Sequence, residues 1–438
     1  MKKALFWFRR DLRFEDNHAL YSALSENDEV YPFFIFDATI LDELPADDHR
    51  ISFLYTTLER LNAQWNNERP IHYFYGDPVE IITTLLQRHP VSALYTNADY
   101  EPYARLRDKK VLDQCTNHNV QFVRLKDHVI FEQNEVVKDD GQPYVVFTPY
   151  KKKWLSLLDS TKHLLPYPSE TFLHKLKRLS FELPHTVDSL EAFSKKRSPL
   201  NAPQFKIEPS RLENYEATRN FMDTDGTTKL GTYLRFGTLS TRDIVSKAYQ
   251  TSNATFLSEL IWREFFQQIL WHFPNTVRQS FKPIYDRIEW RNNIQEFEHW
   301  CSGTTGYALV DAGMRELNHT GYMHNRVRML TASFLCKHLL IDWRWGEAYF
   351  AKKLFDFELA SNVGNWQWAA GSGVDAAPYF RIFNPTTQIQ KFDKHLKYVK
   401  RWVPEFQELT YQQSLIVDHK EARERCLTAY NNALKPNS

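Results

Sequence analysis

Short apolar runs alternate with amphipathic stretches through the first third of the chain. The runs are "ALFWF" at 4–8, "VYPFFIF" at 30–36, "IHYFY" at 71–75, "SALYTN" at 92–97 and "VQFVRL" at 120–125. Between them the apolar positions take a helical period near 17–25, 51–66, 78–88 and 101–117. Strands alternating with helices predict βαβ units, and so a doubly wound parallel sheet of five strands with helices on both faces. Ligands of such sheets sit beyond the strand C-termini. That rule lines up Phe36-Asp37, Gly76-Asp77 and Asn97 to Glu101 along one edge, although ordinary turns and caps use the same residue types.

The pattern then changes. Residues 131–205 carry Pro143, Pro149, Pro166, Pro168, Pro184, Pro199, Pro203 and the run Lys151 to Lys153, which reads as a long surface connector with short helices near 151–158 and 188–195. From 206 the period is almost wholly helical and the aromatic load is heavy. The expected organisation is an α/β domain over 1–130, a connector over 131–205 and an all-helical domain over 206–438. No solenoid-length repeat or low-complexity tract interrupts it.

Composition narrows the chemistry. The chain has 438 residues, enough for two or three domains, and 55 Lys+Arg against 54 Asp+Glu, a net charge of +1. Any affinity for nucleic acid must therefore come from local patches. Cys115, Cys301, Cys336 and Cys426 are far apart and form no metal-ligand spacing, which fits a reducing cytosol and argues against zinc. The apolar run of "MKKALFWFRRDLR" ends at Arg9, too early for a signal sequence, and no run is long enough to span a bilayer. A soluble, cytoplasmic protein is expected, so the N-x-T triplets at Asn253 and Asn318 are read as accidental.

Three helical segments carry polar residues that a plain core helix would not. In "TFLSELIWREFFQQILWHF", 255–273, Glu259, Trp262, Arg263 and Phe266 recur at spacings of three and four. Glu259 and Arg263 stand correctly for an i,i+4 ion pair, and a surface pair beside a core aromatic accounts for them equally. In "GYMHNRVRMLTASFLCKHLL", 321–340, Asn325, Arg328, Met329 and Ala332 share a stripe that needs partners if buried. "AYFAKKLFDFELASN", 348–362, ends in Asp356, Glu358 and Asn362, and Asp356 is placed to pair with Arg328. Farther on, "SNVGNWQWAAGSGVDAAPYFRIFNP", 361–385, sets Trp366 and Trp368 among small residues, as if something other than side chains filled the space. Hydrolase elbows, zinc-protease motifs and phosphate loops are missing, and "GTTKLGTYLRFGTLS", 226–240, is either a diphosphate cradle or merely a helix cap. From these residues alone the helical domain reads as the holder of an aromatic, anionic ligand near nucleic acid.

Taken together, "WFRRDLR" with "DN" at 16–17, "ELIWREF" at 259–265, "GYMHNRVRM" at 321–329, "DWRWGE" at 342–347 and "NWQWAAGSGVDAAPYFRIFNPTTQ" at 365–388 resemble the photolyase/cryptochrome family. Within it the chain is most similar to class I-like DNA photolyases that split cyclobutane pyrimidine dimers, over residues 4 to about 405. The resemblance implies an antenna-type α/β domain, a helical FAD domain, and light-driven repair of UV-damaged DNA by a monomer. It implies FAD held by Tyr215, Thr227, Thr228, Lys229, Leu230, Gly231, Phe256, Glu259, Arg263, Asn325, Arg328, Asp356, Phe357, Glu358 and Asn362, with Asn362 facing flavin N5. Gly231 and Phe256 depart from the Ser and Trp common in relatives.

By the same resemblance, Trp366, Trp343 and Trp290 form an electron-hopping chain to the surface. Trp262 and Trp368 clamp a flipped dimer, Glu259, Asn325, Met329 and Phe266 complete the pocket, and Arg219, Arg263, Arg326, Arg381 and Gln388 meet substrate or flanking DNA, though a solvated surface charge explains Arg219 nearly as well. Relatives acting on the (6-4) photoproduct place histidines where Asn325 and Met329 stand, so cyclobutane dimers are the expected substrate. A signalling cryptochrome is the rival reading, opposed by Asn362, by the Trp262/Trp368 pair and by the short tail after "VPEF". For the antenna, Phe36, Asp37, Arg50, Asp99 and Glu101 suggest a deazaflavin or second flavin. Tyr103 and Ala104 disfavour folate, and an empty site is the remaining option.

Overall fold

The structure, a computed structural model, describes residues 1–65, 70–179, 183–408 and 414–435. The expected strands form β1 (Lys3–Phe8), β2 (Glu29–Asp37), β3 (His72–Gly76), β4 (Ala93–Asn97) and β5 (Gln121–Leu125). They make one parallel sheet in the order β3-β2-β1-β4-β5, with Phe6 opposite Pro32 on one side of β1 and Tyr95 on the other. Because side chains alternate along a strand, β1 feeds two cores. Ala4, Phe6 and Phe8 pack with α1 (His18–Glu26) and α2 (His49–Ala63), while Leu5 and Trp7 pack with α3 (Pro78–Arg88) and α4 (Pro102–Asn117). Asp77 opens α3 by accepting from the N–H groups of Val79 and Glu80.

Two compact units divide the chain, and they differ from three successive stretches. Met1–Val136, Trp154–Ala202 and Leu230–Gln250 form the sheet-bearing unit; Val137–Lys153, Pro203–Lys229 and Thr251–Ser438 form the helical unit. Much of the expected connector thus belongs to the sheet-bearing unit. The reason is packing: Leu176 bridges to Val30 beside the sheet, and Phe193 stacks on Phe36 at 4.7 Å. Residues 230–250 join the same unit through Arg242, which lies 2.8 Å from Asp127 and 2.9 Å from Asp16. Arg13 takes the other side of Asp127 at 2.7 Å.

Burial pushes the Asp127 carboxyl up, but the two guanidinium groups outweigh it and hold it well below the usual carboxylate range. A depressed carboxylate contributes stability that is complete above its unfolded value, about pH 4, and is lost as pH falls toward its folded value. Asp127→Asn should therefore destabilise by about 3 kcal/mol near neutrality, since it leaves buried guanidinium charge uncompensated. Urea midpoints of the two proteins should converge as pH falls below about 4.

In the helical unit the segments that matter are α5 (Phe147–Leu157, as far as Lys153), α6 (Ala254–His272), α7 (Ile294–Ser302), α8 (Ala308–Thr320), α9 (Asn325–Ser333), α10 (Trp343–Lys353) and α11 (Leu359–Ala370). Trp300, Trp343 and Trp366 lie in their common core. Residues 348–362 are not one helix. The chain leaves helical geometry after Lys353 and re-enters at Leu359, because Phe355 buries itself against Gly321 and donates its N–H to the Gly321 carbonyl at 2.9 Å. Asp356 and Glu358 therefore sit in a helix break, where their side chains can point inward.

Candidate active site

The break at 354–358 faces α9 and α11 across a cavity lined by Asn325, Arg328, Met329, Asp356, Phe357, Glu358, Asn362 and Trp366 among others. Arg328 grips Asp356 with both nitrogens, at 3.1 and 2.9 Å, and donates through Nε to the Met323 carbonyl at 2.7 Å. That confirms the pairing expected from sequence. The other expected pair is different: Arg263 reaches Glu358 at 2.9 Å, and Glu259 takes Arg219 as partner. The long arm of Arg263 follows the buried carboxylate of the helix break, whose second hydrogen bond comes from Gln267 at 3.1 Å. Arg219 is thus tied to the wall of the site through Glu259, with 24% of its side chain still exposed.

Asn362 is anchored by its own nitrogen. Nδ2 donates to the Glu347 carbonyl at 3.1 Å and to Glu347 Oε1 at 2.8 Å, which occupies both amide hydrogens and leaves Oδ1 as the free end. Burial raises the Glu347 carboxyl above its ordinary value. A second cavity joins the first along Asn325, Met329, Ser361, Asn365 and Trp368, and is otherwise walled by Arg219, Glu259, Trp262, Arg263 and Phe266. Several residues expected to meet a cofactor and several expected to meet a substrate therefore border two cavities that share a wall. His324, one residue before Asn325, caps α9 by accepting the Arg326 N–H, and burial keeps its ring neutral, at about 4.

Trp366 and Trp368 lie two positions apart on α11, about 200° around a helix. Trp366 is buried edge-on to Phe350 at 5.0 Å and to Trp300 at 6.1 Å, whereas Trp368 is half-buried and borders both cavities. Trp343 is buried in the same core, and Trp290 packs partly exposed against it. The small neighbours now have a reason. A Cβ on Gly346 would fall 2.1 Å from the Trp366 ring, and one on Gly364 would fall 2.2 Å from Phe266. Gly346→Ala should lower stability by about 1–3 kcal/mol through overpacking, visible as a reduced melting temperature.

Not every expected residue reaches this space. Tyr215 is not itself in either lining; it lies edge-on to Phe256 at 5.2 Å and under Arg219, whose guanidinium is 5.8 Å from its ring. Thr227 and Lys229 instead line a separate cavity with Tyr322 and His324, and Lys229 adopts a left-handed φ of 54°. Thr228, with its carbonyl accepting from Lys206 N–H, ends the turn in the helical unit; Leu230 and Gly231 open a short helix of the sheet-bearing unit. Arg326 hydrogen-bonds Asn220 and covers the Phe392 ring, Arg381 is exposed beside Phe383, and Gln388 sits on the helix Pro385–Phe392. Sequence reasoning missed Glu347, Gln267, Ser361 and Asn365. Ser361 and Asn365 share a helical stripe with Trp368, and Gln267 stands one turn after Arg263, so spacing could have found them; Glu347 shows only as the end of "DWRWGE".

In the sheet-bearing unit a further cavity lies at the strand C-termini, lined by Phe36, Asp37, Asp99 and Glu101 as expected, together with Arg10, Tyr103, Arg107 and Arg235. Arg50 is not in this lining; its guanidinium is turned back on the helix-capping Asp48 at 2.6 Å. Asp37 accepts from Tyr103 at 2.8 Å and has its carboxyl raised by burial. Asp99 is also desolvated, yet Arg10 at 3.2 Å and other nearby positive groups hold it low.

Residues 4–169 match the family DNA photolyase, and residues 256–415 match the FAD binding domain of DNA photolyase. The deoxyribodipyrimidine photo-lyase of Escherichia coli is 36% identical over 99% of this chain and 100% of its own. Among solved structures, a bacterial class III photolyase from Agrobacterium tumefaciens superposes with a TM-score of 0.87 at 30% identity, covering 100% of this chain and 98% of that one. An archaeal photolyase from Sulfolobus tokodaii with two FAD molecules gives 0.83 at 32% identity, covering 98% and 100%. The second match lies within the helical unit and the first covers much of the sheet-bearing unit together with Val137–Lys153, and the chain belongs to the DNA photolyase family of FAD-binding enzymes.

Proposed function

We propose that this enzyme repairs cyclobutane pyrimidine dimers in DNA under blue light. Reduced FAD held by Asn325, Arg328, Asp356, Glu358 and Asn362 would supply the light-driven electron transfer that ring opening needs. The inner cavity suits such a group: Phe357 and Met329 offer apolar surface, while Asn325, Asp356, Glu358 and the Asn362 Oδ1 offer hydrogen-bonding edges. Asp356 and Glu358 are each already tied to an arginine, so their oxygens are held in place before anything binds.

The single observation that carries the reading is the shared wall. Asn325, Met329 and Trp368 border both cavities, so a dimer flipped from one strand into the outer cavity would lie next to a group held in the inner one. Trp262 and Trp368 supply flat apolar faces, and Glu259, oriented by Arg219, supplies an acceptor for base N–H groups. Arg326, Arg381 and Gln388 remain assigned to flanking phosphates. The lining of the outer cavity holds no histidine, and Asn325 and Met329 stand where the acid chemistry of (6-4) repair would need one, which favours the cyclobutane dimer. Duplexes carrying one lesion of each kind should separate the readings: dimers disappear in blue light while (6-4) lesions persist, and cleavage of the (6-4) lesion instead refutes the assignment.

The cavity of the sheet-bearing unit we assign to a second, flat pigment of flavin or deazaflavin type. Tyr103 and Ala104 line it, and four arginines, Arg9, Arg10, Arg107 and Arg235, favour an anionic chain. The Sulfolobus relative with two FAD molecules supports that class. Absorption of protein taken from its native host tests it.

A further inference from the structure

The strap Val137–Lys153 belongs to the helical unit and brings three side chains of one face onto α6. Lys151 Nζ donates to Ser258 at 2.6 Å, and Tyr150 packs on Phe265 at 5.1 Å. Phe147, buried, lies parallel to the Trp262 indole with ring centroids 3.7 Å apart and planes 9° apart. Phe266 covers another side of the same indole at 5.5 Å. The backbone N–H of Phe147 also donates, at 3.3 Å, to Asp375, which follows the helix that carries Trp368. One residue therefore touches one wall of the outer cavity and the loop after the other.

An unsupported tryptophan at the mouth of a cavity samples several rotamers, and fixing it on binding costs side-chain entropy. A parallel ring at van der Waals distance removes that freedom in advance. We propose that Phe147 is a positioning residue that fixes the plane of Trp262 and thereby sets the enzyme's discrimination between damaged and undamaged DNA; this rests on reading the outer cavity as the lesion pocket. Volume alone does not do this, because only a flat side chain holds a flat ring in one plane.

The test uses FAD-loaded protein in the dark, with fluorescence anisotropy on duplexes that carry one cyclobutane dimer or none. Phe147→Leu keeps most of the volume and loses the flat face, whereas Phe147→Tyr keeps both. Phe147→Leu should weaken dimer binding by about tenfold. Phe147→Tyr should stay close to the parent, and FAD content and affinity for undamaged duplex should hold in both. Adding Phe147→Leu to Trp262→Ala should cost nothing further, because the effect travels through the indole. The inference is overturned if Phe147→Leu binds the dimer as the parent does, if the two losses multiply, or if affinity falls only together with FAD. A parent protein that does not prefer the dimer would instead refute the lesion-pocket reading itself.

Discussion

Arg328→Ala is expected to purify without flavin. The guanidinium holds Asp356 with two hydrogen bonds, and the surrounding carboxylates raise its pKa despite burial. Removing one partner of a buried pair leaves the other charge uncompensated, which costs about 3–5 kcal/mol when burial is complete. Here the side chains keep 24% and 17% of their exposure, so about 3 kcal/mol is the better figure. That loss falls on the helix break that presents Asp356, Phe357 and Glu358 to the inner cavity, and flavin affinity should drop by about a hundredfold. Arg328→Lys keeps the charge but not the planar fork and should land between the two. Visible flavin absorbance per mole of purified protein measures all three. Flavin retained at parental stoichiometry in Arg328→Ala would remove this cavity from cofactor binding.

The two tryptophans of α11 should fail in different ways. Trp366→Phe keeps a flat ring in the buried site but removes the readily oxidised indole. Reduction of oxidised flavin by light and an external thiol should be largely lost, while repair by chemically pre-reduced protein continues. Trp368→Ala removes a face of the outer cavity, and base–aromatic stacking lost to alanine costs about 1–3 kcal/mol. Dimer affinity should fall by about 5- to 150-fold with photoreduction unchanged. Stopped illumination followed by absorbance reads the first effect and dark binding reads the second. Identical defects in both variants would end the division of labour.

Much of this was legible in the sequence because the signals are local. The five apolar runs and the helical periods between them gave the sheet and its faces, since both depend on side-chain alternation over a few residues. The Arg328–Asp356 pair was legible for a similar reason: a charge on an apolar stripe demands a partner, and few were available. What escaped was set by tertiary packing. The helix break at 354–358 exists because Phe355 finds Gly321, more than thirty residues away, and no local periodicity encodes that. The partner of Arg263 comes from the break and that of Glu259 from Arg219, forty residues earlier, so the spacing within their own helix misled. Residues 230–250 sit in the sheet-bearing unit through the Asp127 ion cluster, which sequence separation hides. The small residues around Trp366 and Trp368 were noticed at once, but their reason is mostly protein. Gly346 and Gly364 make room for Trp366 and Phe266, and the space for a ligand lies beside them.

If an electron lent to a dimer returns to the flavin, one flavin should serve many dimers. FAD-loaded protein, chemically reduced and kept free of oxygen, should be illuminated with a large molar excess of an oligonucleotide carrying one cyclobutane thymine dimer. Recovered thymine and the reduction state of the flavin are then followed in the same sample. The account predicts many dimers opened per flavin with the flavin still fully reduced at the end. No thymine recovered, or one dimer opened per flavin with the flavin left oxidised, would contradict it.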